Sequence, residues 1–183
     1  AQGWRRAQWF DQTGLPWVNP SPNLRSLAAV TSYPGTVYFE GTNLSEGRGT
    51  DRPFEQIGAP WLDAAAVAAT MNAFALPGIA FGAVTVSVAE GAAKFPGQSI
   101  PAIRLAITDR QAYRPVGTAL LLIDTIRKQH PGDFAWGPSI DLLTGSDRVR
   151  QAINADRLAP LLAEWNRAAA QFRVSRAGYL LYS

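Results

Sequence analysis

The stretch from Val37 to Thr50 constrains this chain more than any other. Its glycines Gly41, Gly47 and Gly49 favour backbone shapes that other residues avoid, so they interrupt any regular element and call for a loop. In front of them Val37 and Phe39 alternate with Tyr38 and Glu40, the two-residue period of a strand, which Gly41 should break. Behind them Asn43, Glu46, Arg48 and Thr50 crowd one segment. A turn rarely needs two carboxylates, an amide and a guanidinium so close together. Polar loops held on a rigid scaffold are where binding and catalysis collect.

The rest of the composition narrows the function classes. A chain of 183 residues, 47% hydrophobic and 17% charged, is long and apolar enough for one domain with a real core. It has no cysteine, which fits cytoplasm and periplasm alike. The single histidine, His130, excludes sites built on paired histidines. Because His130-Pro131-Gly132 reads as a helix end, a Ser-His-Asp triad is not expected either. The net charge is +3, but the arginines are scattered and the only lysines are Lys94 and Lys128. Nucleic-acid binding needs a patch or stripe, so no nucleic-acid partner is expected. No apolar run reaches 18 residues, so no membrane span is expected. No cofactor and no metal site are expected. The chain opens on Ala1-Gln2-Gly3-Trp4 without a methionine, and the expectation is that sequence has been lost upstream.

Along the chain, residues 1–23 read as an extended segment leading in from a missing N-terminal domain, and residues 24–183 as the domain proper. Ser21 and Pro22 suit the start of a short helix carrying Leu24, Leu27 and Ala28. Tyr33-Pro34-Gly35 should end it. Residues 51–58 read as irregular, and Pro60 as the opening of a helix to about Phe74 with Val67, Met71 and Phe74 on one face. Ile79 and Phe81 share one strand phase, while Val84, Val86 and Val88 share the other, which suggests a bulge at Gly82-Ala83. A second strand covers 102–108, paired antiparallel with the first, and 89–101 is a projecting loop. Helices are expected from Pro115 to about Gln129 and after Ser146. The last helix has Leu158, Leu161, Leu162, Trp165, Ala169 and Phe172 at helical spacing. The apolar tail Tyr179–Tyr182 should tuck into the core. The fold class is α+β, with a small mixed or antiparallel sheet of three or four strands and packed helices.

The chemistry of the central loop admits several readings. It is a poor P-loop: five residues separate Gly41 from Gly47, Arg48 stands in the lysine position, and two glutamates would repel a phosphate. Asn43-Leu44-Ser45 matches a glycosylation sequon, a pattern common by chance. A glycine loop can bring Glu40 and Glu46 to the spacing of a glycosidase carboxylate pair. Alternatively, one of them pairs with Arg48 or Arg52 and shapes the loop, and a carboxyl beside an arginine makes a poor general acid. Arg114, just before Pro115, either forks onto an anionic ligand or pairs with Asp109. Trp17, Tyr38, Trp61, Tyr113 and Trp136 either stack on sugar rings or fill the core and its rim.

Trp17-Val18-Asn19-Pro20-Ser21-Pro22-Asn23, the run Glu40-Gly41-Thr42-Asn43-Leu44-Ser45-Glu46-Gly47-Arg48-Gly49-Thr50, Pro53-Phe54-Glu55 and Gly58-Ala59-Pro60-Trp61 together resemble a bacterial family. Tyr113-Arg114-Pro115 and the closing Tyr179-Leu180-Leu181-Tyr182 are similar too. The family, once known only as a domain of unknown function, is that of NamZ-type exo-acting peptidoglycan β-N-acetylmuramidases. The resemblance implies a two-part protein, an N-terminal Rossmann-like domain and a C-terminal domain with the cleft between them, of which this chain resembles the second. It implies that the catalytic glutamates lie in the absent half, so none is assigned here. Glu40, Asn43, Glu46, Arg48, Thr50 and Arg114 would then line the cleft or bind substrate. The implied partners are the N-terminal domain and a peptidoglycan-derived sugar whose lactyl carboxylate suits Arg48 or Arg114. The implied location is the periplasm or outside the cell rather than the cytoplasm. The same residues leave open a cell-wall-binding module with no catalytic share.

Overall fold

The computed structural model describes residues 2–182. Three strands, β1 (Gln56–Gly58), β2 (Ile79–Ser87) and β3 (Ser99–Ile107), form an antiparallel sheet in the order β1-β3-β2. The helices are α1 (Leu27–Thr36), α2 (Ala64–Ala73), α3 (Pro115–Gln129), α4 (Ile140–Leu143), α5 (Arg148–Asn154) and α6 (Leu158–Ser175). The fold is α+β.

Strands β2 and β3 pair without interruption from Ile79 opposite Ile107 to Ser87 opposite Ser99, so there is no bulge at Gly82-Ala83. The phase change has another cause. Odd and even positions of one regular strand point to opposite faces, and each face is covered over a different half of the hairpin. Ile79, Phe81, Ile103 and Leu105 join the main core with Val67 and Met71 of α2. Val86, Val88, Ile100 and Ala102 form a second cluster. Strand β1 covers only three residues, too few for a period to show, and lies where an irregular segment was expected.

Helix α1 starts later and ends later than Ser21 and Tyr33-Pro34-Gly35 suggest. Its cap is Ser26, whose Oγ accepts from the Ala29 N–H at 2.9 Å. It runs through Pro34, and the chain continues as a 3-10 turn over Val37–Gly41 where a strand was expected. A proline inside a helix costs about 3 kcal/mol, and here packing offsets it. Gly35 seats on the first turn of α3 so closely that a Cβ there would lie 2.1 Å from the Pro115 carbonyl oxygen. The four residues Val37–Glu40 follow α1 rather than the sheet, and Phe39 is driven fully into the core. Helix α2 likewise begins at Ala64, not Pro60, because Asp63 caps it by accepting from the Ala66 N–H.

Helix α3 spans the residues its stripe predicts and is buried along Ala119, Leu120, Ile123 and Ile126. Helix α6 carries all six predicted apolar positions but not the predicted burial. Leu158 and Leu161 are buried and Trp165 is half-buried, whereas Ala169 and Phe172 are exposed. The tail does not tuck in: Tyr179 and Leu181 are 86% and 90% exposed. Its last described ring, Tyr182, meets Trp4 edge-on at 4.8 Å. The leading segment is tied to the body by an Asp11–Arg110 ion pair at 2.9 Å, with the same guanidinium 4.9 Å over the Trp9 ring.

Candidate functional site

The central loop is a closed structure built from short local bonds. Thr42 Oγ1 donates to the Phe39 carbonyl and accepts from the Leu44 N–H. Thr50 Oγ1 donates to the Gly47 carbonyl at 2.6 Å. Ser45 and Gly58 exchange backbone bonds of 2.8 and 3.0 Å, which join the loop to β1. Gly49 sits at φ 83°, and a Cβ there would come within 2.6 Å of the Ala92 side chain. The tip of the β2–β3 hairpin therefore lies directly on the loop, and the Ala89 N–H donates to the Gly49 carbonyl.

Within this frame the charged groups meet. Arg48 Nη1 donates to Glu40 Oε1 at 2.6 Å and to Glu46 Oε1 at 3.0 Å. Glu46 is buried, whereas the side chains of Glu40 and Arg48 are 29% and 40% exposed. The guanidinium also lies 4.8 Å over the Phe54 ring. Burial opposes its charge, but the bonds to Glu40 and Glu46 outweigh that and raise the Arg48 pKa. Phe54 holds this position at φ 65°, a backbone region costly for a bulky residue by about 1–2 kcal/mol. Its ring, buried edge-on against Tyr33, offsets the cost.

The other predicted residues divide by position. Asn43 is inside the loop's framework: its side chain donates to the Asp133 carbonyl at 2.7 Å and accepts from the Ala135 N–H at 3.0 Å. Thr50 is buried and accepts from Gln56 Nε2 at 2.6 Å. Arg114 is elsewhere, at the start of α3. Its Nη1 donates to the carbonyls of Gln111, Ala112 and Tyr113. Asp109, its alternative partner, instead accepts from the Gln111 N–H. Arg114 lines a groove of about 580 Å³ with Val116, Leu162, Trp165 and Asn166. Of the aromatic candidates, Tyr113 is buried, Trp61 packs at 5.4 Å on the ring of His130, and Trp136 meets Phe134 edge-on. His130 stands at the end of α3, as its sequence context predicts.

Two residues of the network escaped the sequence reading. Gln56 is fully buried and links Thr50, Asp51 and Arg104. Lys94, from the hairpin tip, donates to the carbonyls of Phe39 and Leu44 and to Glu46 Oε2. The signal for Lys94 was a charge imbalance: two glutamates in the loop faced one arginine, and a buried carboxylate calls for compensation. No cluster of carboxylates or histidines that could hold a metal is present among the described residues.

The arrangement is a charge-compensated surface. Both carboxylates are engaged by cations, and Arg48 keeps the Nε and Nη2 edge of its fork free of hydrogen bonds among the described residues. Such an edge takes a carboxylate in a paired, planar contact.

Comparison with known proteins agrees with the motifs. A family described as "Exo-beta-N-acetylmuramidase NamZ, C-terminal" matches residues 31–182. The chain is 37% identical over 182 residues to "Peptidoglycan beta-N-acetylmuramidase NamZ" of Bacillus subtilis (strain 168), covering 98% of this chain and 44% of that protein. A crystal structure of a DUF1343 family protein from Bacteroides fragilis superposes with a TM-score of 0.89 at 22% identity, over 99% of this chain and 49% of that one. A second DUF1343 protein of that organism gives 0.58 at 27% identity, over 90% and 44% of the two chains. The chain thus spans about half the length of each of these relatives, and it belongs to the family of NamZ C-terminal domains.

Proposed function

We propose that this domain forms one wall of the substrate cleft of a peptidoglycan exo-β-N-acetylmuramidase, a glycoside hydrolase, and supplies binding rather than the acid and base. The observation that carries this reading is Arg48. It is held by Glu40 and Glu46 through one nitrogen, its side chain is 40% exposed, and its Nε and Nη2 carry no hydrogen bond among the described residues. N-acetylmuramic acid differs from N-acetylglucosamine by a lactyl ether whose carboxylate fits that edge. Glu40, whose side chain is 29% exposed, stands beside it as an acceptor for sugar hydroxyls. The opposite wall, with the catalytic carboxylates, comes from a preceding Rossmann-like domain. The length of the Bacillus subtilis relative supports a further domain. So does the apolar surface left uncovered on Phe172, Tyr179 and Leu181.

The test is hydrolysis of a chromogenic N-acetylmuramic acid glycoside by this chain and by the full-length protein. The chain alone should give no turnover. Turnover by the chain at the full-length rate would place the chemistry here and overturn the reading.

A second reading, a cell-wall-binding module without a catalytic share, draws on the groove between α3 and α6. There Trp165 offers a stacking face, with Arg114 and Asn166 as polar partners. It predicts measurable affinity of the isolated chain for muropeptides, lost in Trp165→Ala and retained in Arg48→Ala.

A further inference from the structure

We infer that Lys94 is a positioning residue that keeps the outer edge of Arg48 open for an anionic sugar, an inference that rests on the proposed role of Arg48. Glu46 has two oxygens and two cationic neighbours. Lys94 Nζ holds Oε2 at 3.2 Å, and Arg48 Nη1 holds Oε1 at 3.0 Å. With Oε2 occupied, Arg48 reaches Glu46 through a single nitrogen and shares that nitrogen with Glu40. An arginine beside an unencumbered carboxylate prefers the two-pronged contact. Removing Lys94 frees Oε2, so Arg48 turns inward onto both oxygens of the buried Glu46 and spends the edge that would face the ligand.

The same ammonium fixes the backbone on either side. Its bonds to the carbonyls of Phe39 (3.0 Å) and Leu44 (2.5 Å) bracket the segment that carries Glu40. Lys94 arrives on the β2–β3 hairpin, whose tip is already fastened at Gly49. The hairpin thus acts on the candidate site through one side chain that no ligand needs to touch.

The experiment uses the full-length protein and two inhibitors of its turnover, N-acetylmuramic acid and N-acetylglucosamine, which differ only by the lactyl group. Lys94→Met and Lys94→Gln, the latter keeping a donor for the carbonyls without the charge, should each weaken N-acetylmuramic acid about tenfold. N-acetylglucosamine should change less than about twofold, and Lys94→Arg should restore the preference; a paired charged contact is worth a difference of this size. In this 183-residue chain the Arg48 Nε–H resonance should shift and gain exchange protection in Lys94→Gln, before any ligand is added. Equal loss for both sugars, no loss for either, or an unmoved Arg48 resonance would overturn the role of Lys94. Arg48→Ala is the control that separates the two ideas. If it leaves the preference for N-acetylmuramic acid intact, the reading of Arg48 fails and the inference on Lys94 fails with it. If it abolishes the preference while both uncharged Lys94 variants keep it, only the inference on Lys94 fails.

Discussion

The central loop and the C-terminal helix invert each other. In the loop and the start of β1 beside it, polar residues are folded inward: Glu46, Thr50 and Gln56 are buried, and every one has a partner. In α6 and the tail, apolar residues are left outward: Phe172, Val174 and Leu181 are 64%, 78% and 90% exposed. Residue type alone would have placed each set on the other side. The contrast teaches that a buried polar cluster is held by reciprocal bonds, whereas an apolar stripe is buried only if another body covers it. The loop closes its polar groups within the described residues, and α6 leaves its apolar end open to solvent.

Four substitutions test that contrast, ordered by expected effect. Gly49→Ala should be the most damaging. It combines a left-handed backbone with a Cβ pressed to 2.6 Å from the Ala92 side chain, and should cost about 3 kcal/mol in chemical denaturation. A loss under about 1 kcal/mol would mean the hairpin tip is not seated on the loop. Glu46→Ala removes the shared partner of Arg48 and Lys94. Breaking a buried ion pair costs about 3–5 kcal/mol, reduced here to about 2 because both cations reach solvent. A neutral result would show the cluster to be open to water. Asn43→Ala deletes two bonds to the 133–135 segment, worth about 1–2 kcal/mol. Hydrogen exchange at the Ala135 amide should speed up with it, and unchanged protection there would remove Asn43 from the framework. Phe172→Ser should be the mildest in this chain, within about 0.5 kcal/mol. A loss near 2 kcal/mol would mean that the ring is covered and the contrast is false. Were a second domain to lie on α6, as proposed above, the same change would cost more in a protein carrying both domains.

Much of the fold was legible because its elements carry long periods. Helix α3 and helix α6 repeat over four or more turns, and both strand phases of Ile79–Ser87 were visible in the sequence. Short stretches misled. Four residues at Val37–Glu40 alternate like a strand, yet packing of α1 on α3 at Gly35 carries the chain on as a helical turn. Gly82-Ala83 was read as a slip because both faces of one strand are buried, each by a different cluster. At the site, the pairing of Glu40 and Glu46 with Arg48 was foreseeable, since all three are local. The imbalance of two glutamates against one arginine calls for a second cation, but nothing in sequence order says that it is Lys94, 48 positions from Glu46. The exposure of Phe172 and the tail was hidden for a deeper reason. Helical spacing states which face is apolar and is silent on what lies against it.

The edge-on contact of Trp4 with Tyr182 has a practical reach. Because touching rings hold Trp4 and Tyr182 within about two side-chain lengths of each other, a short artificial joint between those two residues should let the order of the chain be rearranged with little strain.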